Sequence, residues 1–110
     1  MLPTLPIATS LEHGGFRGSF SLKPETAMQV VRDLADELQA QGFTRLIVLN
    51  GHGGNFYLVP VCRDINRADR PIKILIANPW EHGGETSTPG ADGRLDLHAG
   101  RWETSLMPAV

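Results

Sequence analysis

The feature that most constrains the fold is an apolar run that ends abruptly in a turn of asparagine, glycine and histidine, at residues 46–55 (LIVLNGHGGN). Such a run, half of it β-branched, is typical of a strand buried on both faces of a parallel sheet. Apolar residues then recur at Leu58, Val61, Cys62 and Ile65, a spacing that predicts an amphipathic helix. Open α/β sheets bind ligands beyond the carboxyl ends of their strands. The turn is therefore the first place to look for chemistry.

The segments around this junction predict alternating helices and strands. Pro24 suits the first position of a helix and Gly42 suits the residue after its last turn. Pro60 is expected to distort the first turn of the second helix. The order helix, strand, helix, strand predicts an α/β fold with three α/β/α layers and a mostly parallel sheet. The predicted helices cover residues 24–41 and 55–68, and the predicted strands cover residues 44–50 and 72–77.

The composition narrows the class of protein. The chain has 110 residues, a net charge of -2 and 41% hydrophobic residues. It has no apolar run near the roughly 20 residues that a membrane helix needs. We therefore expect a cytoplasmic protein that binds neither nucleic acid nor a membrane. Cys62 is the single cysteine, so it forms no internal disulfide, and its place on the helical stripe predicts a core residue.

The histidine of the turn, His52, is the first candidate for a function. Neutral imidazole at the carboxyl end of a strand suits a metal ligand or a general base, and the alternative is a histidine held by hydrogen bonds in a tight turn. The glycines around it would allow left-handed backbone and close approach to whatever His52 holds. The neighbouring asparagines could hold either the turn or a substrate carbonyl. The residues expected to line the substrate site are Asn50, Gly53, Gly54, Asn55 and His13.

A polar, glycine-rich loop precedes the first helix and contains Glu12 and His13. Adjacent residues of an extended segment point to opposite faces, so these two side chains are predicted not to converge on one ion. His13 is either a residue that lines the site or an ordinary residue of a surface loop.

A second candidate pair, His98 and Glu103, lies near the end of the chain. Asp96 would share a face with His98 in an extended segment and could fix the tautomer of its ring. Glu103 follows about one helical turn later. Together with His52, these residues make the set of two histidines and a carboxylate that hydrolytic metal sites use.

Three segments together closely resemble the creatininase (creatinine amidohydrolase) family. They are NGHGGN at 50–55, D-x-H-A-G-x-x-E-T-S at 96–105 and LPIATSLEHGGFRGSFSLKPET at 5–26. The resemblance implies a three-layer α/β/α fold and a protein that is often hexameric. It also implies hydrolysis of a small molecule at a non-peptide or unusual C–N amide bond, as in a lactam, a formamide or a modified peptide. It also implies one or two divalent ions, with zinc ahead of manganese or iron. His52 would be a metal ligand, His98 the proton-transfer residue, and Glu103 its acidic partner or a ligand.

Two departures from the family pattern refine this expectation. Creatininase itself has a glutamate ligand at the position of Gly54, so the resemblance favours the NGHGGN branch and disfavours creatinine as the substrate. The family's first metal motif, E-x-H followed by an aspartate, lies upstream of the matching region. Residues 1–110 are therefore expected to be a partial amidohydrolase domain, incomplete at both ends. The alternative function is a non-catalytic truncated subunit or remnant that only packs into an oligomer.

Overall fold

The computed structural model describes residues 1–79. The predictions for Asp96, His98 and Glu103 lie outside the described residues. The chain divides into two units, Met1–Ala77 and Asn78–Val110. The elements of the first unit are a 3₁₀ helix at Leu11–His13, helix α1 at Pro24–Ala40, strand β1 at Arg45–Leu49, helix α2 at Leu58–Arg67 and strand β2 at Lys73–Ala77.

The two strands pair in parallel, as the alternation of helices and strands predicted. The register places Arg45 opposite Lys73 and Leu49 opposite Ala77. The N–H of Asn50 still donates a 2.9 Å hydrogen bond to the carbonyl of Ala77, so the ladder reaches the residue where the turn begins. This confirms the α/β class and puts the turn at the carboxyl edge of the sheet.

One face of the sheet packs against both helices. Ile74 of β2 is buried, and Leu46 and Val48 of β1 are partly buried against the same core. On the opposite face Ile47 and Leu75 are exposed. The prediction that the strands are buried on both faces is therefore wrong for the described part of the chain, where both helices share one core. The residues of that core are Ala27, Val31, Ala35, Tyr57, Leu58, Val61, Cys62, Ile65, Ile72 and Ile74.

The ends of the helices follow local chemistry. Pro24 occupies the first position of α1, and Gly42 follows the helix with a positive φ of 87°, the region that glycine adopts without strain. The helix after the turn begins at Leu58, later than predicted. Pro60 thus lies in the first turn of α2, where a backbone N–H has no partner within the helix. Neither helix of the described chain has the length and hydropathy needed to span a bilayer.

Candidate metal centre

The turn after β1 is held from within by two asparagine side chains. Asn50 is buried, with 7% of its surface exposed. Its Oδ1 accepts hydrogen bonds from the backbone N–H of His52 at 3.3 Å and from Nδ2 of Asn55 at 3.0 Å. These contacts fix the backbone that presents the His52 ring.

The N-terminal segment docks onto this turn through Thr9, whose surface is only 3% exposed. The Thr9 hydroxyl donates a 2.7 Å hydrogen bond to the carbonyl of Gly54, and the Thr9 N–H donates to Oδ1 of Asn55 at 3.2 Å. One residue later, the N–H of Ser10 donates to the hydroxyl of Ser21 at 2.9 Å. The segment that leads into the 3₁₀ helix is therefore tied to the turn at several points.

This docking brings together three side chains that could hold a cation. Nε2 of His52 lies 2.7 Å from Oε1 of Glu12, and Nε2 of His13 lies 3.8 Å from the same oxygen. One donor atom from each of the three residues lies within 4.8 Å of the other two. The two imidazole rings have centroids 6.1 Å apart and are tilted by 32°. The group forms where open α/β sheets bind their ligands.

The prediction that Glu12 and His13 would not converge is wrong because their segment is not extended. Leu11–His13 forms a 3₁₀ helix, which has three residues per turn. Adjacent side chains are then about 120° apart, whereas in a strand they are about 180° apart. The glycines at 14 and 15, which indicate a tight turn, were the sequence signal for this geometry.

The glycines of the turn serve one of the two purposes predicted for them. Gly51, Gly53 and Gly54 do not have a positive φ, so the expectation of left-handed backbone is wrong. The expectation of close approach holds at Gly54, where a Cβ atom would clash with Oε1 of Glu12 and Nε2 of His52. Gly53 has open space where its Cβ would be. The absence of a side chain at Gly54 thus leaves the room in which the carboxylate and the imidazole meet.

These donors fit a divalent metal ion. Two histidines and one glutamate form a known ligand set of catalytic zinc, in which ligand bonds of about 2.0–2.1 Å put tetrahedral donors about 3.4 Å apart. The observed 2.7 Å and 3.8 Å separations from the Glu12 oxygen lie on either side of that value. A hydrogen bond from its own backbone N–H, followed by the contact with His52, lowers the pKa of the Glu12 carboxyl below its ordinary value. The carboxyl is therefore an anion at neutral pH, as a metal ligand must be.

A pocket of about 420 Å³ adjoins the group, and its wall includes Glu12 of the group and Gly54 of the turn. This volume falls within the range of about 300–1,000 Å³ typical of sites for small molecules. The rest of its wall is mostly apolar and comes from both helices, the N-terminal segment and the two residues just before α2. The lining residues are Thr9, Leu11, Glu12, Pro24, Met28, Gly54, Phe56, Tyr57 and Pro60.

The structure places most residues predicted for the site around this one turn. His13 lies in the group with His52, and Glu12 is the member that the sequence prediction missed. Asn50 and Asn55 hold the turn, which is the first of the two roles considered for them. Their contact with a substrate stays a prediction.

Comparison with known proteins identifies one family. The family model for creatininase, described as creatinine amidohydrolase, matches residues 1–110. No curated protein matches the chain.

Proposed function

The chain belongs to the creatininase family, and on that basis we propose that it hydrolyses a small, non-peptide or otherwise unusual C–N amide with the help of a divalent metal held at His52. The family is one of metal-dependent amidohydrolases. A lactam, a formamide and a modified peptide are the candidate substrate classes. Zinc is the first candidate for the metal, followed by manganese and iron, with one or two ions in the complete site.

One observation carries this proposal. Nε2 of His52 points to the carboxylate of Glu12 at the carboxyl edge of the sheet, with His13 beside them. Such convergence of donor atoms on one point is what the protein ligands of a divalent cation require.

The residues of the chain would share the chemistry as follows. A divalent cation, when bound, supplies Lewis-acid activation of the amide carbonyl and of the attacking water. His52 would hold the cation through Nε2. His98 would pass a proton to the leaving nitrogen, and Glu103 would be its acidic partner or a further ligand. The apolar wall of the adjoining pocket, which includes Met28 and Phe56, would exclude water and hold an apolar part of the substrate.

The test is metal content together with hydrolysis, measured on protein purified without chelators. We expect about one or two ions per chain, loss of the metal in His52→Ala, and turnover of at least one lactam or formamide in a panel. His98→Ala should keep the metal and lose turnover, because its proposed role is proton transfer. A metal-loaded protein that hydrolyses no member of a broad amide panel would favour the alternative, a non-catalytic subunit.

Two further expectations remain proposals. We propose that the chain assembles as a homo-oligomer, up to a hexamer, and the exposed apolar side chains of Ile47, Leu49 and Leu75 support association. Light scattering coupled to size exclusion measures the mass directly, and a monomer at all concentrations would contradict this proposal. The cytoplasmic location stays a prediction from composition.

A further inference from the structure

We infer that Glu12 and His13 are metal ligands, so that the 3₁₀ helix before α1 supplies a carboxylate and an imidazole to the cation held by His52. This inference rests on the proposed metal role of His52 and extends it to a segment in which Glu12 lies 40 residues earlier in the chain. Neither residue was among the metal ligands that the family resemblance implied.

The donor atoms of the three side chains converge. Oε1 of Glu12 lies 2.7 Å from Nε2 of His52 and 3.8 Å from Nε2 of His13. The carboxylate is thus the central member of the group, within reach of both rings. The three donor atoms all lie within 4.8 Å of one another, so rotations of the side chains can bring them to a single cation.

Gly54 leaves space in the turn for these donor atoms. A Cβ atom at this position would collide with the Glu12 carboxylate and with the His52 ring. Gly53, one residue earlier, could carry a Cβ without contact. The backbone of the turn therefore approaches the Glu12 carboxylate at one residue, and that residue lacks a side chain.

The segment that leads into the 3₁₀ helix is anchored to the turn. Thr9 bonds to Gly54 and Asn55 through its side chain and its backbone, and these are the residues that follow His52 in the turn. The position of Glu12 relative to His52 is thus fixed by contacts outside the pair itself. An exposed ion pair alone stabilises a structure too little to position the segment.

The chemistry of the donors points to a borderline-soft divalent cation. Two imidazoles and one carboxylate suit zinc better than calcium or magnesium, which prefer oxygen ligands. The three side chains are partly exposed, with values of 37% for His13, 42% for Glu12 and 26% for His52. Water or a substrate atom can therefore reach the position that three protein ligands would leave open on the ion.

The experiment is a calorimetric titration of the metal-stripped chain with ZnCl₂ at pH 7.5. We compare wild type with Glu12→Gln, which keeps the size and hydrogen-bonding capacity of the side chain but removes its charge. We expect the Kd for zinc to rise at least about tenfold, because even residues that only support a ligand typically change affinity by about 10–100-fold. His13→Gln should weaken binding in the same direction. The matched control is Glu25→Gln, an exposed carboxylate in the first turn of α1.

A second pair of variants tests the space at the turn. Gly54→Ala places a methyl group against the donors and should also weaken zinc at least about tenfold, whereas Gly51→Ala, where an added Cβ meets no other atom, should bind like wild type. Far-ultraviolet circular dichroism of each variant verifies the fold. If Gly54→Ala does not fold, Glu12→Gln still decides the question, because its side chain is exposed and its shape is conserved.

The outcomes separate this inference from the proposed function. Loss of binding in Glu12→Gln and His13→Gln, with both controls unchanged, supports the three-residue site. Wild-type affinity in Glu12→Gln together with loss of binding in His52→Ala overturns the inference and leaves His52 as a ligand. A wild-type chain that takes up no zinc overturns the inference and the metal role of His52 together. Hydrolysis of amides is measured separately and does not decide between these results.

Discussion

The hydroxyl of Thr9 donates a 2.7 Å hydrogen bond to the carbonyl of Gly54, and this bond joins the N-terminal segment to the turn that carries His52. Thr9 is buried, so its hydroxyl cannot exchange this partner for bulk water at no cost. The same residue contacts Asn55 through its backbone N–H. The relative position of Glu12 and His52 therefore depends on a residue that itself carries no metal chemistry.

Replacement of Thr9 by valine should destabilise the fold and weaken the metal site together. Valine keeps the shape but leaves the Gly54 carbonyl without its donor, which costs about 1–3 kcal/mol for a buried group. We expect the urea midpoint to fall, and the affinity for zinc to fall as well. Thr26→Val, at an exposed position of α1, is the control and should change neither quantity appreciably. A loss of stability with unchanged affinity would show that the segment does not position the donors.

Much of the fold follows from local sequence patterns. Pro24 and Gly42 bound α1 because proline is preset for a first helical turn and glycine accepts the positive φ after the last one. The parallel strands follow from their separation by a helix. The exposure of Ile47 could not be predicted from the sequence. A continuous apolar run does not show which residues cover the second face of its strand.

Only some residues of the candidate site could be recognised from the sequence. His52 stands out because it directly follows a strand and lies among glycines. Glu12 does not, because its role depends on contacts made across a separation of 40 residues in the chain. In an extended loop the side chains of Glu12 and His13 would point to opposite faces, whereas in the 3₁₀ helix at Leu11–His13 the angle between them is smaller. No local pattern encodes that Gly54 is the point of closest approach.

The one-sided burial of the sheet gives a direct test with two neighbouring residues of β2. Ile74 is 5% exposed and Leu75 is 62% exposed. Ile74→Ala should lower the free energy of unfolding by about 2–5 kcal/mol, the usual cost of removing a large aliphatic side chain from a core. Leu75→Ala should change it by no more than about 0.5 kcal/mol at concentrations where the chain is monomeric. Equal losses in the two variants, measured by urea denaturation, would mean that the second face is also buried in solution.

The side chain of Asn66 forms hydrogen bonds with both backbone groups of Ile74 in β2. Its Nδ2 donates to the carbonyl of Ile74 at 2.8 Å, and its Oδ1 accepts from the Ile74 N–H at 2.7 Å. Asn66 thus occupies the place that a neighbouring strand would take, and it protects this part of the strand edge from other chains.

Asn66→Ala should therefore reduce stability by about 1–3 kcal/mol, because it leaves both backbone groups of Ile74 without these partners. It should also increase the rate of aggregation, since an open strand edge can pair with other chains. The control is Arg63→Ala, at another exposed position of α2. The measurements are urea denaturation and static light scattering over time. If both variants behave alike, the Asn66 contacts do not contribute to the stability of the edge.

The buried thiol of Cys62 predicts how stability depends on alkaline pH. Burial raises the pKa of Cys62 from 9.0 to about 11, so above pH 9 the unfolded chain loses this proton before the folded one does. The free energy of unfolding should then fall between about pH 9 and 11, by at most about 1.4 kcal/mol per pH unit for one proton. Burial also raises the pKa of Tyr57, which acts in the same direction at higher pH. Cys62→Ala should reduce the slope between pH 9 and 10, whereas an unchanged slope would mean that the thiol does not titrate differently in the two states.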